Sequence, residues 1–123
     1  MVKKHRREHR SQCPIASALE LIGDRWTMLI LRDLFVGKKR YSEFRASPEE
    51  ISTNILADRL SMMEESGLVV AKPYQNRPLR FEYELTDKGL GLLPALQELC
   101  RWGNKHIPDT CVPPASFMEQ KVG

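Results

Sequence analysis

Ser52, Thr53 and Asn54 form a row of short hydrogen-bonding side chains directly ahead of an amphipathic run that stops at Gly67. A helix that enters the major groove of DNA needs such side chains in its first turn, where base edges come within reach. An asparagine amide can pair bidentately with adenine, and a threonine offers a hydroxyl or a methyl group. The free N–H groups and the positive dipole end of the same turn attract phosphate. In isolation the three residues read more simply as caps on an ordinary surface helix. Their surroundings reverse that preference. A basic hairpin follows, with Lys72, Arg77 and Arg80 as phosphate candidates, and Lys38 and Lys39 stand upstream. Arg59, on the helix itself, is a further candidate, able to turn instead toward the core edge or Glu64. Asp58 on the exposed face would repel phosphate; it could accept from cytosine N4, but is expected instead to pair locally, for instance with a neighbouring arginine.

Other reactive residues point to less. Cys13, Cys100 and Cys111 are far apart, with no C-x-x-C. An odd count without close pairs argues against a disulfide framework. His5, His9 and Cys13 are spaced i, i+4, i+8 and would share a helical face fit for a metal. Pro14 and the basic surroundings argue against a helix there, so no metal is expected. No Ser-His-Asp order, Gly-rich phosphate loop or paired-carboxylate cleft stands out, so neither an enzyme nor a cofactor is expected.

The elements that must carry the DNA-facing residues can be read from periodicity. Ile15, Ala18, Leu19 and Ile22 recur at helical spacing, and Gly23 punctuates them. Asp24 is a candidate N-cap for a core helix over residues 25–35, closed by Gly37. A short helix follows over 41–46, with Ser42 a candidate cap and Phe44 inward. Ser52 caps the long helix, whose buried stripe is read as Ile55, Leu56, Leu60 and Met63. Two strands follow, over 68–74 and 80–85, joined by a tip over 75–79 that is too long for a two-residue turn. Thr86 caps a last long helix to about residue 106, with Pro94 expected to kink it. Pro108, Pro113 and Pro114 mark a non-helical tail.

The chain has 123 residues, enough for one domain with a small core. At 41% hydrophobic and 28% charged it is neither disordered nor membrane-embedded. The first residues lack an apolar secretory segment, which makes the cytoplasm the expected compartment. Net charge is +3, and residues 1–12 carry five basic residues against one acid, so the excess sits in that tail. It is either a solvated end or an arm that touches the DNA backbone. The fold expected is mainly α with a small β-hairpin wing, a winged helix-turn-helix.

Several segments carry a family resemblance: Cys13-Pro-Ile-Ala, Leu21-Ile-Gly-Asp-Arg-Trp-Thr-Met-Leu-Ile-Leu-Arg-Asp-Leu34, Tyr41-Ser-Glu-Phe44, Ile51-Ser-Thr-Asn-Ile-Leu-Ala-Asp-Arg-Leu60, Glu64-Glu-Ser-Gly-Leu68, Tyr83-Glu-Leu-Thr-Asp-Lys-Gly89 and Leu99-Cys-Arg-Trp-Gly103. In this order they resemble the HxlR-type winged-helix transcriptional regulators, relatives of the MarR regulators. The resemblance covers residues 13–107 and leaves 1–12 and 108–123 as tails. It implies a homodimer on pseudo-palindromic double-stranded DNA, with dimerisation helices at both ends of the domain. Ile15, Leu19, Leu92, Leu96, Leu99 and Trp102 are the interface candidates. Independently, the last four are more apolar surface than a small monomer's final helix needs. The resemblance also makes Cys13 a candidate redox-sensing thiol and Cys100 its candidate partner across the dimer. Arg10 and a helix start after Pro14 would both favour the Cys13 thiolate. The bland reading is a small buried hydrophobe at Cys100 and an unreactive Cys13, with Cys111 an alternative partner or none. An oxidant or small molecule is the candidate effector. The competing class is a winged-helix protein-interaction module that does not read DNA.

Overall fold

The computed structural model describes residues 11–122. The basic tail, with Lys3, Lys4, Arg6, Arg7 and Arg10, and the histidines His5 and His9 lie outside the described residues. Helix α1 (Pro14–Ile22) begins on a proline, whose missing N–H would have no intrahelical partner in the first turn anyway. Helix α2 (Thr27–Phe35) is the central element, with Thr27, Ile30, Leu31, Asp33, Leu34 and Phe35 all buried. The turn over residues 25–26 precedes it. The helix starts two residues later than expected, with Trp26 at its N-cap position, so Asp24 is not that cap; its carboxylate instead accepts from the Trp26 and Thr27 N–H groups at 2.9 and 3.0 Å and holds the turn ahead of the helix.

Helix α3 (Tyr41–Arg45) buries Phe44. Ser42 is not its cap. Glu43 fills that role by accepting from the Lys39 and Arg40 N–H groups, both at 2.9 Å. Helix α4 (Thr53–Glu65) starts at Ser52, whose Oγ accepts from Ile55 N–H at 3.3 Å. It stops before Gly67, which takes the left-handed φ of +82° that a side chain would resist. Its buried stripe differs from expectation at one place. Ile55 is exposed, and Met62 joins Leu56, Leu60 and Met63 in the core. Ile55 lies in the first turn, before the helix has run under the rest of the molecule.

Strands β1 (Val69–Asn76) and β2 (Leu79–Leu85) pair antiparallel from Val69↔Leu85 out to Asn76↔Leu79. The wing tip is therefore two residues, Arg77 and Pro78, and not the five-residue loop expected. An irregularity between Pro73 and Gln75 absorbs the register change, and the Gln75 side chain donates to the Pro78 carbonyl at 3.1 Å. The α2–α3 link lies alongside as a fragment of a third strand, with Tyr83 N–H donating to the Lys39 carbonyl at 2.8 Å.

The last helix is two helices. Thr86 caps α5 (Asp87–Leu90), and after a turn α6 (Leu93–His106) begins. Pro94 falls in the first turn of α6, where it starts a helix and kinks nothing. Leu93, Leu96 and Gln97 face the core, so Leu96, at 6% exposed, is not the surface residue that its spacing suggests. The tail also carries a helical turn, α7 (Ala115–Met118), which buries Phe117. The Gln97 amide nitrogen stands within hydrogen-bond distance of the Phe117, Met118 and Gln120 carbonyls, at 3.0, 3.2 and 2.9 Å, and ties the tail to α6.

Candidate DNA-binding surface

The first turn of α4 is held from both sides. Tyr41 of α3 donates its hydroxyl to the Thr53 carbonyl at 2.6 Å, and the Ser52 carbonyl accepts from Leu56 N–H at 3.0 Å. Thr53 and Asn54 are exposed, and their side chains make no hydrogen bond among the described residues. Exposed Ala57 and Ser61 continue the same stripe. The surface offered is thus short, polar and fixed in direction, which suits contact with base edges.

A part-buried polar network sets the turn that leads into α4. Arg32 donates through Nη1 and Nη2 to both carboxylate oxygens of Glu49 at 2.8 Å. Its Nε and Nη2 also donate to Asp33, at 3.0 and 2.9 Å. Ser47 donates to the other Asp33 oxygen at 2.6 Å and accepts from Lys38 Nζ at 2.7 Å. The Arg32 hydrogen bonds hold the Glu49 carboxyl below its usual range, against a smaller opposing effect of burial. The bond to Glu49 likewise raises Arg32. Sequence reading missed this network. The one available signal was the presence of charges, Arg32 and Asp33, on the core helix.

The basic candidates divide by what already holds them. Lys38 is engaged by Ser47. Lys39 and Arg40 both face Glu82, at 3.8 and 2.8 Å, and the Arg40 guanidinium lies 3.8 Å over the Tyr74 ring. Lys72 pairs with Glu84 at 3.0 Å across the wing. Arg59 is turned inward: its Nε lies 3.2 Å from Asp24 and its Nη1 3.2 Å from Asp58. The Nε contact lacks hydrogen-bond geometry, so it is a charge contact only. Burial pushes the Asp24 carboxyl up. The Thr27 hydroxyl, the Trp26 and Thr27 N–H groups and Arg59 outweigh it and leave the carboxyl lowered. Arg77 and Arg80 are exposed at the wing tip and have no ion-pair partner among the described residues.

Away from α4, on α1 and α6, Ile15, Leu19, Leu99 and Trp102 are 71%, 57%, 56% and 60% exposed. Leu19, Leu99 and Trp102 line a groove of about 780 Å³ between α1 and α6, with Ile22, Met28 and Ala95. Leu92 is half-buried and, with Leu96, belongs to the protomer's own core. Cys13 is exposed at the N-terminal boundary of α1. Cys100 faces the C-terminal tail, where Cys111 lines the same cavity. Burial, then the Cys111 thiol, push the Cys100 thiol up. Among the described residues no group of three or more His, Cys, Asp or Glu side chains could hold a metal ion. No described helix is long and apolar enough to cross a membrane.

Comparison with known proteins matches this geometry. An HTH-type transcriptional regulator of Mycobacterium tuberculosis is 39% identical over 119 residues, covering 97% of this chain and 73% of the relative. The redox regulator HypR in its reduced form superposes with a TM-score of 0.72 at 30% identity, over 78% of this chain and 95% of that one. The reduced form of the transcriptional regulator YodB of Bacillus subtilis gives a TM-score of 0.65 at 32% identity, over 82% and 100%. These neighbours share the winged helix-turn-helix arrangement of helices and hairpin. The HxlR-like helix-turn-helix profile matches residues 21–110, and the chain is a member of that family of DNA-binding transcriptional regulators, not an enzyme.

Proposed function

We propose that the chain is a cytoplasmic homodimer that reads a pseudo-palindromic operator. Thr53 and Asn54 of each protomer contact bases, and Ser52 fixes the start of their helix. The observation that carries this reading is the presence, on one protomer, of an exposed polar first turn on α4 and an exposed apolar groove on α1 and α6. Single exposed hydrophobics are ordinary, but three large ones lining one groove, Leu19, Leu99 and Trp102, call for a cover. A second copy related by two-fold symmetry supplies it, because the same patch then meets itself. Two α4 helices would stand about 34 Å apart, one turn of duplex.

Cys13 is the proposed sensor. An oxidant of the peroxide class would convert its thiolate to a sulfenic acid with loss of water. A second thiol, Cys100 of the other protomer or Cys111, would then displace a second water to give a disulfide. HypR, described as a redox regulator in oxidised and reduced forms, supports this reading by similarity. The test is selection of bound duplexes from a random pool with thiols reduced, repeated after mild peroxide. An enriched palindrome under reduction that is lost or shifted by peroxide, with Cys13 modified by mass spectrometry, is expected. An unmodified Cys13 with unchanged binding would end the sensing role. Leu99→Glu should yield monomers on sedimentation, and an intact dimer would refute the α1–α6 interface. The protein-interaction reading is favoured by one observation, the pairing of Lys39, Arg40 and Lys72 with wing carboxylates. It predicts no enriched sequence in either state and a shallow salt dependence.

A further inference from the structure

The C-terminal tail folds back against α2 and α6 and, with them, lines an open cleft of about 400 Å³. That volume falls within the range of small-molecule sites. Its walls include Val36, Cys100, Cys111, Pro113, Pro114 and Phe117. The polar groups at its edge are already committed. The Asn104 amide nitrogen donates to Thr110 Oγ1 and to the Cys111 carbonyl, both at 2.9 Å. Arg32 forms one wall, but its guanidinium is shared by Asp33 and Glu49, and Lys38 approaches the same cluster through Ser47. Two cations thus face two carboxylates, which leaves no unmatched positive charge to hold an anion.

Gly103 makes the cavity more than a gap in packing. It sits inside α6, where glycine weakens a helix relative to alanine. A Cβ there would meet nothing within 4 Å among the described residues, so packing within the protomer does not require glycine. What the missing side chain leaves is room, and Gly103 lines this cavity.

We infer that the cavity is a binding site for a neutral, apolar ring compound, stacked against Pro113, Pro114 and Phe117. Arg32 reaches from its wall to Glu49, in the turn that leads into α4, so occupancy would bear on the orientation of that helix. This last consequence rests on the DNA-binding reading; the site itself does not.

The full chain is titrated with N-phenyl-1-naphthylamine, a neutral fluorophore that is dim in water. A saturable rise at one dye per protomer is expected, and Gly103→Leu should weaken it at least tenfold with the circular dichroism spectrum retained. In the unsubstituted protein, bound dye should slow N-ethylmaleimide alkylation of Cys100 and Cys111 several-fold and leave Cys13 unchanged. This protection pattern decides the matter if Gly103→Leu fails to fold. No saturable rise, equal affinity in a folded Gly103→Leu variant, or dye bound without protection at Cys100 and Cys111 each overturns the proposal. The last outcome, with dye lost in Leu19→Glu, would move the ligand to the α1–α6 groove. A chain that binds dye with the expected protection but selects no DNA sequence would refute the DNA reading and leave the site standing.

Discussion

Removing the Arg77 guanidinium should separate free wing charge from paired wing charge. Arg77 is exposed at the two-residue tip and has no ion-pair partner among the described residues, so Arg77→Ala deletes a cation without stranding a carboxylate. Each phosphate neutralised on duplex DNA contributes about 0.9 to the slope of log K against log salt. A dimer carries two such arginines, so the slope should flatten by about 1.8 units. Lys72→Ala is the matched control. Its ammonium is held 3.0 Å from Glu84, so its hold on phosphate must compete with that carboxylate. Deleting it also leaves Glu84 without that partner on the wing, which would weaken binding by repulsion while changing the number of released counterions only slightly. The slope should therefore change by less than in Arg77→Ala. The assay is fluorescence anisotropy on operator and on random duplex, from 50 to 300 mM salt (about the range where such slopes are linear). Equal slope changes for the two variants would refute the division of the wing into free and paired cations. An unchanged slope in Arg77→Ala would remove the wing tip from the interface altogether.

Asn54→Ala should relax specificity at one or two base pairs by about 1–3 kcal/mol and leave binding to random duplex nearly unchanged. Equal losses on both DNAs would contradict base contact at this position. Glu49 has a carboxyl lowered by Arg32, so its contribution to stability is present above the ordinary glutamate value, about 4.3, and is lost as pH falls through the lower folded value. Urea midpoints should accordingly drop at acid pH, and the drop should shrink in Glu49→Gln; an identical profile in the variant would show that other carboxylates dominate. Gln97→Leu should leave the Phe117, Met118 and Gln120 carbonyls without their shared donor and destabilise by about 1–3 kcal/mol. Hydrogen exchange should quicken first at the end of the chain, and uniform quickening across α4 as well would refute a local role.

Legibility in the sequence followed the range of the interactions. Helix α4 can be bounded closely because its signals are local: Ser52 caps within three residues, and Gly67 supplies the left-handed stop. The hairpin strands are readable from alternation, but the tip is not. Its closure depends on the irregularity at Pro73–Gln75 and on a side-chain bond from Gln75. The run after Thr86 reads as continuous because apolar spacing carries across residues 91–92. Only backbone geometry reveals that Pro94 opens a new helix there. The tail is hidden for a different reason. Proline density argues correctly against a long helix, yet Phe117 finds its cover through Gln97, twenty residues earlier. The Arg32–Glu49 pair spans seventeen residues, so neither charge announces its partner.

The division of charges bears on why a dimer would be needed. Among the described residues, the proposed DNA-binding surface of one protomer has two wing arginines without ion-pair partners and one helix N-terminus, since Lys39, Arg40, Lys72 and Arg59 already face carboxylates. Such a set gives shallow electrostatic attraction and a reading head only one helical turn long. Joining two copies through the α1–α6 groove, as proposed, would make the second contact intramolecular, so that the half-sites reinforce each other without any new side chain. Affinity then depends steeply on the spacing of the two α4 helices. Anything that shifts α1 against α6, or moves the Arg32–Glu49 tether in the turn that leads into α4, would change that spacing or tilt. A regulator with a strongly basic surface would hold DNA through such shifts. One whose wing charge is largely neutralised by its own carboxylates would let go, and the pairing of its cations is therefore what would make small movements at the groove or the tail cavity count.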